Sequence, residues 1–220
     1  HIPLSRTQHG FRSHHSTTTL LTNLMQTTLD GMNQRKPAHR TLLVTIDISK
    51  AFDAIPRYPL INKILNTTLQ QNTKRWLANY LSGRQAFVFF NGKSSRTRNF
   101  PNGVPQGSVL SPTLFNLYMH DMPLPPHNSN INISSYADDI TVTSQDPDPH
   151  MAANNLQVYI TSLEEWLAAN RLKVAPTKST VTLLTNDTHQ HNITPHITLN
   201  NTPIPCTNTT KILGVTYNTD

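Results

Sequence analysis

The stretch Ile131-Asn132-Ile133-Ser134-Ser135-Tyr136-Ala137-Asp138-Asp139-Ile140-Thr141-Val142-Thr143 decides the reading of the fold. Apolar and polar residues alternate with period two on both sides of Ala137-Asp138-Asp139, the pattern of two half-buried strands joined by a tight turn. A second acidic strand end lies upstream. Thr41-Leu42-Leu43-Val44-Thr45-Ile46-Asp47-Ile48 is a nearly continuous apolar run, hence a buried strand, and it finishes at Asp47. A carboxylate at such a place is costly unless positive charge meets it. Only 12 of the 220 residues are Asp or Glu, so three of them on strand ends call for a reason. Taken alone, Ala-Asp-Asp is also an ordinary solvent-facing turn, because Asp is common in turns.

Working outward, Leu21, Leu24/Met25, Leu29 and Met32 recur at helical spacing behind a cap at Ser16 or Thr17. Amphipathic helical stretches cover Tyr58 to Leu65 and Thr73 to Leu81, and Ser82-Gly83 stops the second. Arg84 to Phe90 and Ser94 to Phe100 flank Asn91-Gly92, a strong hairpin cue. Gly103-Val104-Pro105-Gln106-Gly107-Ser108 is a loop leading into a helix that carries Leu114, Leu117 and Tyr118/Met119, with Ser108 as its expected cap. Leu156, Tyr159/Ile160, Leu163 and Trp166/Leu167 mark one more helix, and short strands follow at Thr180 to Leu184, Ile197 to Leu199 and Ile212 to Thr216. Hairpins mixed with helices, without βαβ alternation, predict an α+β fold with a mostly antiparallel sheet packed on helices.

Composition narrows the function classes. A net charge of +6 favours polyanionic partners, moderately so over this length. The single cysteine, Cys206, excludes an internal disulfide framework and a multi-cysteine zinc cluster. Eleven histidines, among them His14-His15 and His189/His191, have neither cysteine partners nor zinc-like spacing, so no metal role is expected of them. No run approaches the roughly 18 apolar residues of a membrane span, so no membrane partner is expected. A sparse carboxylate group suits Mg²⁺, which keeps water and phosphate oxygens as ligands, better than calcium. Neighbouring strand residues point to opposite faces, so Asp138 is expected to be the direct ligand and Asp139 partly peripheral.

Three blocks in order, Asp47-Ile48-Ser49-Lys50-Ala51-Phe52-Asp53, Gly103-Val104-Pro105-Gln106-Gly107-Ser108-Val109-Leu110-Ser111-Pro112 and Tyr136-Ala137-Asp138-Asp139, resemble the palm motifs of reverse transcriptases. Gln8-His9-Gly10-Phe11-Arg12 upstream, and Asn170-Arg171-Leu172, Lys178 and Leu213-Gly214-Val215 downstream, extend the likeness over nearly the whole chain. The wording is similar to that of the non-LTR retrotransposon branch. The resemblance implies a right-hand polymerase palm with partial fingers, numbers 1–40 and 60–100 belonging to fingers and 41–59 and 101–217 to palm.

It also implies roles. Asp47 and Asp138 correspond to the metal-binding aspartates, with Asp139 beside them and the Ile48 carbonyl as a further ligand. The expected cofactor is a pair of Mg²⁺ ions, with Mn²⁺ a possible substitute, about 3.5–4 Å apart, activating a primer 3′-hydroxyl and stabilising the leaving pyrophosphate. Phe52 stands where an aromatic ring lies under the incoming sugar, which favours deoxynucleotides because the 2′-hydroxyl is the local difference. Ordinary core packing is its competing role. Gln106 and Gly107 are placed against the nucleotide, and Lys178 against the pyrophosphate. Arg12 corresponds to a structural or template-contacting arginine. Arg84, Lys93, Arg96 and Arg98, interleaved with Phe87, Phe89 and Phe90, form the cation and aromatic mixture expected along a nucleic-acid strand. The partners implied are an RNA template, a DNA primer and deoxynucleoside triphosphates, and the work would fall in nucleus and cytoplasm; oligomeric state is not legible.

The chain opens at His1 without an initiator Met and reads as a piece of something longer. The family's remaining finger blocks would precede His1, and its thumb would follow Leu213-Gly214-Val215. Two rival readings accompany the polymerase. One is an inactive or repurposed remnant that only binds nucleic acid. The other, an RNA-dependent RNA polymerase palm, is disfavoured by Phe52.

Overall fold

The protein is described here from a computed structural model covering residues 2, 4–190 and 192–219. His191, discounted above as a ligand, and the two terminal residues of the 1–220 assignment lie outside the described residues.

Four antiparallel strands form the central sheet in the order β6-β7-β1-β8, with β1 at Arg40–Ile46, β6 at Ile131–Tyr136, β7 at Asp139–Asp146 and β8 at Thr180–Leu184. The α+β expectation with an antiparallel sheet therefore holds. In β1 the even positions Leu42, Val44 and Ile46 enter the main core, while Leu43 enters a smaller cluster on the opposite face. Both faces of the strand are covered, which is why its sequence reads as a run and not as an alternation.

On the main-core face lies α6 (Pro149–Ala169), capped by the Asp148 carboxylate, with Leu156, Tyr159, Ile160, Leu163 and Leu167 buried. The helices α3 (Arg57–Leu65), α4 (Gln71–Leu81) and α5 (Ser111–Tyr118) extend that core around Phe115 and Tyr118. The opposite face carries α1 (Thr17–Met32) and the hairpin of β11 (Thr209–Ile212) and β12 (Val215–Asn218). Ser16 caps α1 in a capping box with Thr19. Its buried stripe is Leu20, Leu24, Thr28 and Gly31, whereas Met25 and Leu29 face solvent. The expected stripe through Leu21 and Leu29 is thus rotated by one position. A Cβ at Gly31 would lie 2.5 Å from the Gln145 amide nitrogen, so close packing against Gln145 selects the face with the glycine.

Two further local expectations change. Ser108 does not cap α5. Leu110 occupies that position, and the Ser108 hydroxyl instead accepts the Leu110 N–H at 3.3 Å. The single strand expected at Ile212 to Thr216 is a hairpin corner, because Leu213 and Gly214 both take positive φ (48° and 91°) between Ile212 and Val215. The hairpin centred on Asn91-Gly92 is present, built from the pairs β2 (Gln85–Ala86) with β5 (Arg98–Asn99) and β3 (Phe89–Phe90) with β4 (Lys93–Ser94). Phe87, Phe89 and Phe90 are all exposed. Small elements complete the chain: α2 (Ala51–Ala54), the pair of β9 (Thr198–Leu199) with β10 (Thr202–Pro203), and a 3₁₀ turn at Thr188–Gln190.

Candidate active site

The site grows from the register of β1 against β7. Their last pair is Ile46 with Ile140, so one step further Asp47 stands opposite Asp139. Residues facing each other across an antiparallel pair share a face. Here it is the face of Thr45 and Thr141, away from the main core that takes Ile46, Ile48 and Ile140. Asp47, Asp139 and Lys178 accordingly line one small cavity of about 140 Å³ with Thr45, Thr141, Lys211 and Leu213. Asp138, at the second position of the turn between Tyr136 and Asp139, is not part of that lining.

The carboxylates nonetheless sense one another. Asp139 keeps an exposed surface, but partial enclosure of its carboxyl lifts its pKa above the usual carboxylate range, and the charges of Asp138 and then Asp47 push the same way. Lys178 is placed by the turn after Val174, its N–H donating to the Ala175 carbonyl at 3.0 Å. Lys211, which the sequence reading did not single out, reaches the same cavity because the Leu213-Gly214 corner folds β11 back over the strand ends. Its position just before Leu213-Gly214 was the available signal.

Ile48 pairs with Val174 through the Ser49 N–H to the Lys173 carbonyl and the Ala175 N–H to the Asp47 carbonyl, both 2.8–2.9 Å. That pattern leaves the Ile48 carbonyl out of the bridge. Among the described residues, no group of three or more His, Cys, Asp or Glu side chains already stands in metal-holding geometry. The donors gathered at the strand ends are all oxygens and few. Such a set suits a hard divalent cation that keeps water ligands, and mutually repelling carboxylates are what a cation relieves.

Phe52 is partly buried, stacked on the buried Phe115 ring at 4.4 Å and 17°, with Phe11 edge-on at 6.4 Å. The packing expected as its competing role is thus present, and part of the ring stays accessible. Gln106 is exposed and donates to the Asp53 carboxylate at 3.3 Å. The loop before it is stitched to the Phe52 segment by Gly103 N–H to the Ile55 carbonyl (2.7 Å) and Val104 N–H to the Phe52 carbonyl (3.0 Å). Gly107 lies in the open with φ 84°.

Gln106 and Arg84 line a second cavity, of about 290 Å³, with Asp53, Phe100 and Arg57. Burial, and then the nearby Arg84 charge, lower the Arg57 pKa, while its Nη2 donates to the Phe100 carbonyl. Arg57 was not read as functional, since an arginine after Ile55-Pro56 carries no signal of its own. Lys93, Arg96 and Arg98 are exposed on the hairpin beyond and do not reach either cavity. Arg12 is held locally, its guanidinium donating to the Ser5 carbonyl at 2.7 Å.

A sheet whose neighbouring strand ends bear aspartates, with helices behind it and a hairpin laid over the front, is the arrangement of a polymerase palm. The family described as reverse transcriptase (RNA-dependent DNA polymerase) matches residues 2–217, and the chain belongs to that family. Within it the chain stands with the non-LTR retrotransposon enzymes. It is 32% identical over 210 residues to the probable RNA-directed DNA polymerase from transposon X-element of Drosophila melanogaster, a match covering 94% of this chain and 22% of that protein. The RNA-directed DNA polymerase from mobile element jockey of Drosophila funebris is 29% identical over 217 residues, again with 94% and 22% covered. The chain thus spans about a fifth of these relatives. Among solved structures, apo telomerase from Candida tropicalis superposes with a TM-score of 0.63 at 13% identity, over 97% of this chain and 39% of that one, a likeness of fold. No helix among the described residues is long and apolar enough to cross a membrane.

Proposed function

We propose that this chain is the catalytic palm, with part of the fingers (1–40 and 60–100), of an RNA-directed DNA polymerase that adds deoxynucleotides to a primer 3′-hydroxyl on an RNA template. The observation that carries the reading is the convergence of Asp47, Asp139 and Lys178 on one cavity, with Asp138 close enough to influence Asp139. In this reading Asp47, Asp138, Asp139 and the Ile48 carbonyl hold two Mg²⁺ ions, or Mn²⁺ in their place. Bound there, the metals would lower the pKa of the primer hydroxyl and offset charge on the leaving pyrophosphate.

The chain's own side chains do the rest. Lys178, and Lys211 beside it, bring positive charge to the phosphate side of the cavity. Phe52, braced by Phe115, lies against the sugar and leaves no room for a 2′-hydroxyl. Gln106, with Gly107 keeping the loop slim, meets the nucleotide. Arg84, Lys93, Arg96 and Arg98 track the strand backbone, and the exposed Phe87, Phe89 and Phe90 offer stacking faces. Arg12 steadies the segment before α1 through the Ser5 carbonyl and serves there as a structural or template-contacting arginine.

The same exposed, basic hairpin favours one competing reading, a chain that binds nucleic acid without extending it. Primer extension on poly-rA/oligo-dT with Mg²⁺ separates the two. The polymerase reading expects deoxynucleotide incorporation that Asp138→Asn and Asp47→Asn abolish. Salt-sensitive RNA binding with no extension, by the longest reading frame containing this chain, would leave only the binder.

A further inference from the structure

We infer that Gln8 is a positioning residue for the acidic turn, its buried amide setting the orientation in which Asp138 and Asp139 are presented; the inference rests on the metal-binding role proposed for those aspartates. Ala137 opens the turn at φ 55°, a left-handed conformation that residues with a Cβ disfavour. Something must hold it there. The Gln8 side chain does so from both sides of the residue: Oε1 accepts the Ala137 N–H at 2.8 Å, and Nε2 donates to the Ala137 carbonyl at 3.0 Å. That N–H belongs to the peptide joining 136 to 137 and that carbonyl to the peptide joining 137 to 138. One amide therefore orients both peptide planes flanking Ala137, and the second plane sets the direction in which Asp138 leaves the backbone.

The clamp is itself rigid. Gln8 is 2% exposed, and its Oε1 also accepts the Gly10 N–H at 2.7 Å. The segment carrying it runs parallel to the end of β6, with Ser135 N–H to the Thr7 carbonyl and His9 N–H to the Ser135 carbonyl, each 2.8 Å. Gln8 thus continues with its side chain a ladder that the backbone begins. Gly10 presses against the turn so closely that a Cβ there would lie 2.4 Å from the Ala137 nitrogen, and the buried Asn116 amide holds the Gly10 carbonyl at 2.9 Å. A neutral amide satisfies the turn without adding charge beside three carboxylates. Glutamate or lysine in this place would alter the local field as well as the geometry.

Partners behind metal-binding groups typically govern affinity or activity by about 10–100-fold. The test uses the longest reading frame containing this chain, unaltered, as Gln8→Met, and as Gln8→Met with Ala137→Gly. Mn²⁺ binding is titrated calorimetrically, and primer extension is followed against Mg²⁺ concentration. Gln8→Met is expected to weaken Mn²⁺ binding ~10–100-fold and to raise the Mg²⁺ needed for half-maximal extension in step. Ala137→Gly is expected to restore part of both, because glycine takes positive φ freely. Rescue at the turn is a response that a general packing defect would not give. Should Gln8→Met fail to fold, Gln8→Asn keeps an amide in the buried site yet stops one methylene short of Ala137, and the same losses are expected. A folded Gln8 variant with unchanged Mn²⁺ affinity and Mg²⁺ requirement, or a loss that glycine at 137 leaves untouched, overturns the inference. Gln8-dependent Mn²⁺ binding by a protein that extends no primer would support the clamp while sinking the polymerase reading.

Discussion

Gly103 and Gly107 flank Gln106 with nearly equal backbone angles, φ 83° and 84°, and differ in what surrounds them. A Cβ on Gly103 would lie 3.0 Å from both the Cα and the carbonyl oxygen of Asp53 and 3.1 Å from the Phe52 oxygen, all backbone; on Gly107 it would meet nothing within 4 Å. Substituting alanine at either site incurs a left-handed penalty of ~1–2 kcal/mol. The gain from a stiffer unfolded chain is also common to both and cancels in the comparison. At Gly103 the methyl group must in addition displace main chain, at ~1–3 kcal/mol for overpacking. The neighbouring backbone cannot easily yield, since the Gly103 N–H is bonded to the Ile55 carbonyl. At about 2–4 °C per kcal/mol for a unit of this size, Gly103→Ala should melt ~2–12 °C below Gly107→Ala. Scanning calorimetry of the two variants at equal pH and salt measures the gap. Equal melting temperatures, or a lower one for Gly107→Ala, would refute the packing argument.

Three further outcomes follow from the site. Asp139 has a folded pKa raised above its unfolded value of about 3.9, so the folded state binds more protons between the two and stability declines as pH climbs through that window. Asp139→Asn should therefore raise the melting temperature at neutral pH in EDTA, with the advantage vanishing below about pH 4 and shrinking when Mg²⁺ is added. Replacing Arg84, Lys93, Arg96 and Arg98 by alanine together should reduce the slope of log affinity for single-stranded RNA against log salt by up to ~3, at about 0.7 per phosphate contact; an unchanged slope in a filter-binding titration would remove the hairpin from the interface. Phe52→Val should raise ribonucleotide over deoxynucleotide incorporation by ~10-fold or more, read from competing extension assays, and an unaltered ratio would reduce Phe52 to a packing residue.

Much of this arrangement was legible because local chemistry and tertiary structure agree. The run through Ile46, the alternation around Ala137-Asp138-Asp139 and the Asn91-Gly92 turn each specify a strand or corner by themselves, and each forms where the chain says. Which aspartate faces Asp47 was less accessible. Alternation along one strand says that 138 and 139 diverge, but the choice between them depends on the register against β1, a pairing across more than 90 residues. Gln8 stands out only as part of a motif, because an uncharged side chain gives no hint that its partner is a backbone 129 residues away. The α1 stripe was misplaced for a related reason. Leucines at 21 and 29 look as apolar as those at 20 and 24, and only Gly31 against Gln145 decides between the faces.

The clasp between residue 8 and residue 137 also has a consequence for biosynthesis. Synthesis from the amino terminus delivers the glutamine before the bend it must grip, 129 residues further on, so its amide waits without that partner in the interval. Sheet strands β1 and β7 cannot pair until the same late moment. A nascent chain that stops short of that bend therefore cannot set Asp47 opposite Asp139, and the cation site proposed above can assemble only after β7 has been made. Circular permutants that bring the two partners close in sequence should acquire it earlier.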